Sequence, residues 1–372
     1  MSNRFTWAEV DGGAVTANAR QLKAQAGDAQ LLAVVKAFGY GHGLVRAAQA
    51  ALAGGATWLG VALVEEGEVL RREGITAPVL VLSEPRPSAM AAAVAADLRP
   101  TVYTAIGVEA AAKAATGLPR PLRVHVKLDT GMHRVGAAPA AAAALASDVA
   151  GRPELHLEGL FTHFAVADEP ERADVTAAQL ARLLDLAAVL AARGIRPDLL
   201  HAANSAGLLA HPMSRLDLVR CGIALYGLAP SPALDGLVDL RPALSLLAEV
   251  SFVKPLAAGE AVSYGLRWRA PVDTVVATLP IGYADGVPRR YGSCGGEVLV
   301  GGRRCPVVGT VTMDQLLVDC GPASAVSVGD ECVLIGRQGD EEVTAWEWAE
   351  RVGTIAYEVV CGLSSRVPRL WV

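Results

Sequence analysis

Eight short apolar runs alternate with helical stretches as far as Cys221, a lysine closes the first of those runs, and the helical periodicity then gives way to short β-type runs. These observations predict an α/β fold, an N-terminal (β/α)8 TIM-type barrel followed by a C-terminal mainly-β domain. The 372 residues suit two domains or a large barrel with an addition, and the 52% hydrophobic content allows a sizeable core. Much of that content is alanine, which favours helices.

Asn3–Val10 reads as a strand, and Asp11 offers a cap for a helix reaching about Gln25. Leu31–Val35 is continuously apolar and partly β-branched, the pattern of a strand buried on both faces. Lys36 ends it, and a cation there is costly unless paired, solvated or chemically used. Gly39, Gly41 and Gly43 permit a tight turn around Tyr40 and His42. Seven further runs follow: Trp58–Leu63, Pro78–Ser83, Arg99–Tyr103, Leu122–Asp129, His156–His163, Leu199–Asn204 and Leu216–Cys221. Helical stretches fall between most of them, at Leu44–Ala53, Val64–Glu73, Ala89–Ala96, Ala105–Ala115, Pro139–Ala150 and Glu171–Arg193. That alternation implies βαβ units and a parallel sheet. The competing architecture, an open doubly wound sheet, lacks a G-x-G-x-x-G after any strand.

Ala229–Gly236 reads as a linker, which divides the chain into a barrel at 11–235 and a β-domain at 236–372. In the latter, β-type runs at Leu246–Lys254, Asp273–Leu279, Glu297–Val300, Arg303–Val308, Gln315–Asp319 and Glu331–Gly336 are punctuated by glycine pairs and Gly329-Asp330. One helix, Ala345–Val352, is expected to open on a capping box of Thr344 and Glu347.

A net charge of -5 without a basic stripe disfavours nucleic-acid partners. The six cysteines form no C-x-x-C and read as reduced thiols, and no metal site is expected. The N-terminus has no signal-peptide pattern, and the alanine-rich tracts near 89–96 and 137–146 are shorter than the ~20 residues a bilayer needs. A cytoplasmic protein without membrane partners is expected.

In a TIM barrel the active site lies at the carboxyl ends of the strands. Lys36, His133, Arg134, His163, Asn204, Ser205 and Arg220 all fall there. Taken singly, His163 reads as a core histidine, Ser205 as a helix cap, Arg220 as a barrel-mouth ion pair, Lys127 and Asp129 as a solvated strand face, and Tyr264 as a β-domain core tyrosine. Their coincidence on one face shifts the balance. Backbone N–H groups at Ser205, Gly222 and Ile223 could bind a dianion. An imine-forming lysine beside a phosphate cradle points to pyridoxal phosphate.

The motifs then resemble a family. Ala33-Val-Val-Lys36-Ala-Phe-Gly-Tyr40-Gly-His-Gly43, Lys127-Leu-Asp-Thr-Gly-Met-His-Arg134-Val-Gly136, Thr162-His163-Phe-Ala165, His201-Ala-Ala-Asn204-Ser205-Ala206 and Val219-Arg220-Cys-Gly222-Ile223 occur in order. Ser263-Tyr264-Gly265, Gly282-Tyr283-Ala-Asp285-Gly286, Gly309-Thr-Val-Thr-Met313-Asp314-Gln315, and Tyr357-Glu before Arg366-Val-Pro-Arg369 complete the set. Together they resemble the bacterial alanine racemases along essentially the whole chain. The resemblance implies an isomerase that interconverts L- and D-alanine by two bases through a pyridoxal 5'-phosphate aldimine, supplying D-alanine for peptidoglycan. It implies a head-to-tail homodimer with shared sites, and an opening strand at 1–10 that joins the β-domain.

By the same resemblance, Lys36 holds the cofactor, while Tyr40, Asn204, Ser205, Gly222, Ile223 and Tyr357 bind it. Arg220 faces the pyridine nitrogen and Arg134 the substrate carboxylate. Lys127 matches a position often carbamylated in the family. Tyr264 and Met313 come from the partner, and Tyr283 and Asp314 line the shared site or its access. Lys36 and Tyr264 serve as the two bases, with His163 linking Tyr264 to Arg220. A guanidinium with a pKa above ~12 keeps its proton, which disfavours leakage into transamination. Phe38 stands where the family commonly has Asn or Asp, and reads as a buried apolar residue that repacks the turn. Alternatives are a racemase of broader scope (serine, lysine or arginine) and a non-catalytic pyridoxal-phosphate carrier, for which the β-domain and Ser263-Tyr264-Gly265 would be superfluous. A decarboxylase is disfavoured by Arg220 in place of an acidic partner.

Overall fold

The computed structural model describes residues 4–372; Asn3, assigned above to the first strand, lies outside the described residues. The chain divides into two compact units, Gly13–Arg241 and the segment ending at Gly12 together with Pro242–Val372. β1 (Thr6–Val10) belongs to the second.

The first unit contains β2 (Gln30–Val34), β3 (Trp58–Val61), β4 (Val79–Val81), β5 (Arg99–Val102), β6 (Leu122–Lys127), β7 (Leu155–Phe161), β8 (Leu199–His201) and β9 (Leu218–Cys221). They pair in parallel in the order β8-β7-β6-β5-β4-β3-β2-β9. Asp217 N donates to Leu200 O (3.1 Å) and Arg220 N to Ala203 O (2.9 Å), so the two ends of this order meet and the sheet closes. The open-sheet alternative is thereby excluded. Leu32, Val34, Trp58, Leu80, Leu199 and Leu218, from five different strands, form one buried cluster. Side chains two residues apart on a strand share a face, so these fill the barrel lumen. Each contributes on the order of 1.5–3 kcal/mol by leaving water.

The helices fall where the 3.6-residue pattern puts them, including Leu44–Ala53, Val64–Arg72, Ala105–Ala115 and Pro139–Gly151. Thr104 caps the third of these through Gly107 N (2.9 Å). By length and composition Pro170–Ala192 could cross a bilayer, and it is far longer than the alanine tracts considered above. Its buried stripe of Thr176, Gln179, Leu183, Leu186 and Leu190 has the spacing of a helix laid on a core, and the leucines join the barrel cluster.

In the second unit, β1 pairs antiparallel with β10 (Leu244–Glu249). The remaining strands are β11 (Phe252–Leu256), β12 (Ala261–Val262), β13 (Trp268–Arg269), β14 (Thr274–Leu279), β15 (Glu297–Val300), β16 (Arg303–Val308), β17 (Leu316–Asp319), β18 (Glu331–Gln338), β19 (Glu341–Val343) and β20 (Arg369–Trp371). The main sheet runs β11-β14-β17-β16-β15-β18-β10-β1-β20, with β19 on β18 and β12-β13 apart. The predicted helix Ala345–Val352 is present, and Thr344 Oγ1 accepts from Glu347 N (3.0 Å). The reciprocal half of the expected capping box is absent: Glu347 instead pairs with Arg304 (2.7 Å) and Arg351 (2.8 Å). A second helix, Ala356–Gly362, was not predicted, because Val359 and Val360 weaken its helical signal; burial of Ala356, Val359 and Val360 sustains it.

Candidate active site

Lys36 follows β2 and opens a five-residue turn, Lys36–Tyr40. Ala37, Phe38, Gly39 and Tyr40 all have positive φ (53, 57, 61 and 52°), so the turn is left-handed. The sequence reading assigned this freedom to glycines, yet three of the four residues carry side chains, each costing roughly 1–2 kcal/mol. Backbone bonds hold the turn: Gly39 N to Val35 O (2.8 Å), Gly41 N to Ala37 O (3.1 Å) and Gly43 N to Phe38 O (2.8 Å). Glu66 adds a clamp, accepting from Ala37 N (2.7 Å) through one oxygen and from Ala62 N (2.8 Å) and Leu63 N (3.2 Å) through the other. Phe38 is 56% exposed rather than the buried residue expected, and its backbone carbonyl takes part in the turn's bonds. His42 is a structural residue, fully buried and stacked on Tyr226 at 4.4 Å.

Arg220, only 4% exposed, reaches the lumen from β9. Its NH2 donates to Thr162 O (2.7 Å) and Ala202 O (3.0 Å) and lies 3.3 Å from His163 Nδ1; its NH1 lies 3.0 Å from His201 Nδ1. The guanidinium also lies over the Phe161 ring at 5.2 Å. Burial brings Arg220 down to about 10, below the range assigned from sequence, and leaves it cationic at neutral pH. No carboxylate pairs with it among the described residues, so it is not the barrel-mouth ion pair that it suggests when taken singly. A guanidinium only donates, and NH2 already faces two nearer carbonyls, so the longer His163 contact is a shared hydrogen bond when Nδ1 accepts and the ring proton sits on Nε2. Burial, then the charges of Arg220, Lys127, Arg134 and Lys36, hold His163 well below its ordinary range, hence neutral.

Beside this, Asn204 caps the helix Ser205–Ala210 by accepting from Gly207 N (2.8 Å). Ser205 is buried, and its Oγ accepts from Gly222 N (3.0 Å). A Cβ at Gly222 would lie 2.4 Å from the Tyr40 hydroxyl, so only glycine lets the tyrosine stand there. Tyr40 in turn stacks on Tyr226 (5.1 Å). The Ser205 and Tyr40 hydroxyls thus meet at the Gly222 backbone, next to buried Ile223.

Lys127 closes β6 and is 6% exposed, so it is not part of the solvated strand face that it suggests when taken singly. Burial, then Arg220, Arg134 and Lys36, bring its amine down to about 7. The loop beyond it is tied at Asp129, which accepts from Gly131 N (2.9 Å) and His133 N (3.1 Å). It carries Arg134 at the surface. Gln179 joins this loop to the next, reaching Thr130 Oγ1 (3.2 Å), His163 O (3.2 Å) and Ala165 N (2.9 Å). Neither Gln179 nor Glu66 was singled out from the sequence, where a lone amide or a helix-opening glutamate carries no distinguishing signal.

In the second unit Tyr264 is 71% exposed, Met313 52% and Tyr283 41%; Tyr264 is therefore no core tyrosine. Their loops are laced together. Thr310 Oγ1 donates to Tyr264 O (3.0 Å), Tyr283 N to Thr312 O (2.9 Å) and Ala284 N to Met313 O (3.0 Å). Ser263, Gly265 and Leu266 around Tyr264 all have positive φ (63, 79 and 47°). Asp314 pairs with Arg366 (2.6 Å), which also reaches buried Asp285 (3.3 Å). Tyr357 is half-buried on the unpredicted helix.

The first unit thus gathers Lys36, Lys127, Arg134 and Arg220 near two neutral imidazoles, and the second presents exposed aromatic and thioether side chains on interlinked loops. Residues 10–230 match the alanine racemase N-terminal domain family, and 243–371 the alanine racemase C-terminal domain family. The chain belongs to the alanine racemase family. An alanine racemase from Symbiobacterium thermophilum is 50% identical over 99% of this chain and 97% of its own length. The solved alanine racemase of Streptomyces lavendulae superposes with a TM-score of 0.94 at 38% identity, covering 100% of this chain and 98% of that one. An alanine racemase from Bacillus anthracis, solved with bound L-Ala-P, gives 0.93 at 40% identity over 100% and 96%. The fold is not confined to alanine: a histidine racemase from Leuconostoc mesenteroides gives 0.91 at 31%, over 100% and 99%.

Proposed function

We propose that this chain racemises alanine in the cytoplasm as a homodimer, with pyridoxal 5'-phosphate at the barrel mouth, and so supplies D-alanine for peptidoglycan. The observation that carries this reading is the convergence of Lys36, Lys127, Arg134 and Arg220 on one mouth beside the Tyr40–Ser205–Gly222 group. Such a cluster calls for anions, and a phosphate and a substrate carboxylate supply them.

The residues fit the cofactor. Tyr40, Asn204, Ser205, Gly222, Ile223 and Tyr357 would hold its phosphate end, Lys36 would carry it covalently, and Arg220 would face its ring nitrogen. When bound, it supplies electron withdrawal from the α-carbon of an attached amino acid. Arg220 Nε–H has no acceptor among the described residues and is the donor suited to that nitrogen. Arg134 binds the substrate carboxylate. Lys36 Nζ takes or returns the α-proton on one face, and Tyr264 Oη of a second copy does so on the other. A tyrosine titrates near ~10, so its phenolate needs help. The neutral His163 Nε2–H is a donor fitted to that task. Met313 lines the substrate pocket, and Tyr283 and Asp314 its access. Carbamylation of Lys127 would place one negative charge among the cations and orient Arg134.

The test is a chiral-separation assay on cofactor-loaded protein across L-amino acids. D-alanine is the expected product. Turnover of serine, lysine, arginine or histidine at rates matching alanine would replace this reading with the broader one, which the histidine racemase likeness makes worth including.

A further inference from the structure

The barrel lumen beneath Arg220 holds buried polar side chains that the two-base chemistry does not use. His201 Nε2 lies 2.9 Å from His125 Nδ1, and His125 Nε2 lies 3.2 Å from Glu158 Oε2. Glu158 pairs in turn with Arg99 (3.3 Å) and Arg123 (3.1 Å). Both histidines and Glu158 are buried. The ends of this row set its direction. Arg220 can only donate, so His201 Nδ1 accepts; an ionised carboxylate can only accept, so His125 Nε2–H donates. Each imidazole is then neutral, with its proton on Nε2, and every bond runs the same way from Arg220 to Glu158.

The backbone is shaped for this row. Along β6 and β7, Val124 faces Leu157 and His125 faces Gly159, so Glu158 is skipped as a bulge, a rare feature of a parallel ladder and one that re-aims a side chain. A Cβ at Gly159 would lie 2.1 Å from His125 Nδ1, the atom that takes the bond from His201. Phe161 stacks flat on His201 (4.5 Å, 7°) and fixes its ring. Burial lowers both histidines. Burial raises Glu158, but the His125 bond and the charges of Arg99 and Arg123 outweigh it and hold the carboxylate below its ordinary range.

We propose that Glu158 is the remote counter-ion of Arg220, acting through His125 and His201 as a one-way hydrogen-bond chain that orients Arg220 as a donor to the cofactor ring. The functional half of this inference rests on the pyridoxal-phosphate reading. A buried cation needs compensation, and a chain of aligned bonds delivers it across two neutral rings. Glu158 and His125 are thus positioning residues that act through His201 on Arg220.

Two measurements test it. In wild-type protein labelled with 15N-histidine, with and without cofactor, long-range proton–nitrogen spectra should show His125 and His201 neutral and protonated at Nε2. An imidazolium, or an Nδ1–H form, at either position overturns the chain. In the holoenzyme, Glu158→Gln and His125→Phe should shift the absorption of the bound cofactor. They should also lower kcat by about 10–100-fold, as lost outer-shell partners do, with KM within about threefold. A folded Glu158→Gln protein with the wild-type spectrum and kcat overturns the proposal. If the variants do not fold, the tautomer measurement decides alone. Wild-type protein that binds no cofactor would instead refute the functional reading.

Discussion

The two units present their candidate residues in opposite ways. In the barrel, Lys127 and Arg220 are 6% and 4% exposed, and Arg220 spends most of its donors on Thr162, Ala202, His163 and His201. In the β-unit, Tyr264 and Met313 are more than half exposed, and what is fixed is the backbone beneath them. The barrel mouth is a buried, hydrogen-bonded cluster of cations. The β-unit instead holds exposed side chains on a hydrogen-bonded backbone, which under the proposed function act on a second copy of the chain. The proposed division of one reaction between these two surfaces predicts that each can be broken separately and that their failures differ in kind.

Lys36→Ala should have the largest effect. It removes both the covalent anchor and one base, so racemase activity should fall by more than ~10⁴-fold, the upper end for loss of a general base. The absorbance of a lysine-bound cofactor should vanish with it. Survival of that absorbance would place the anchor elsewhere.

Tyr264→Phe should break the other half while leaving the cofactor spectrum intact, with a loss of about 10²–10⁴-fold. Racemisation of alanine has an equilibrium constant of one, so kcat/KM must fall equally in both directions. The asymmetry appears only in exchange of the α-proton with heavy water, which should be lost from L-alanine and retained from D-alanine. Mixing Lys36→Ala with Tyr264→Phe chains should restore activity, because each mixed dimer would hold one site with both bases intact. Failure of mixed dimers to recover would mean that the two bases belong to one chain.

The contrast also explains what was legible in sequence. Barrel strands are continuous apolar runs and the helices between them are strongly periodic, so the fold could be read from local pattern alone. Lys36, Arg134, His163 and Arg220 stood out as candidates because polar residue types at strand ends are unusual and the fold places those ends on one face. Glu66, Gln179 and the His125–Glu158 pair escaped because the partners that give them their place, Ala37, Thr130 and each other, lie 29, 49 and 33 residues away and their types are commonplace. The left-handed turn at Ala37, Phe38 and Tyr40 escaped because nothing in an alanine or phenylalanine announces positive φ, and that same blindness put Phe38 inside rather than out.

That turn is held by Glu66, so Glu66→Ala probes whether the barrel half depends on its backbone as the β-half does. It removes a carboxylate accepting three backbone N–H bonds, and hydrogen bonds to charged groups contribute ~1.5–3 kcal/mol each. Allowing for rehydration of the exposed Ala37 and Leu63 amides, a loss of about 2–4 kcal/mol in chemical denaturation is expected. Cofactor affinity should weaken in proportion. A variant as stable as the parent would show that the backbone bonds of the turn suffice.

The smallest effect concerns Lys127 and separates burial from chemistry. Burial and neighbouring cations bring this amine from 10.5 to about 7 in the folded state. Between those values the unfolded chain binds more protons than the folded one, so this group makes stability rise with pH across the window, with its penalty fully present below about 7. An amine that is half neutral near pH 7 is also nucleophilic toward carbon dioxide: its lone pair forms the N–C bond, a proton leaves, and the carbamate carries a negative charge into a cluster of cations. With 13C-bicarbonate, a carbamate resonance should grow as pH rises through 7 and be absent in Lys127→Ala. If no resonance appears while the stability slope persists, Lys127 acts as a buried neutral amine, and Arg134 is oriented by Asp129 and its loop alone.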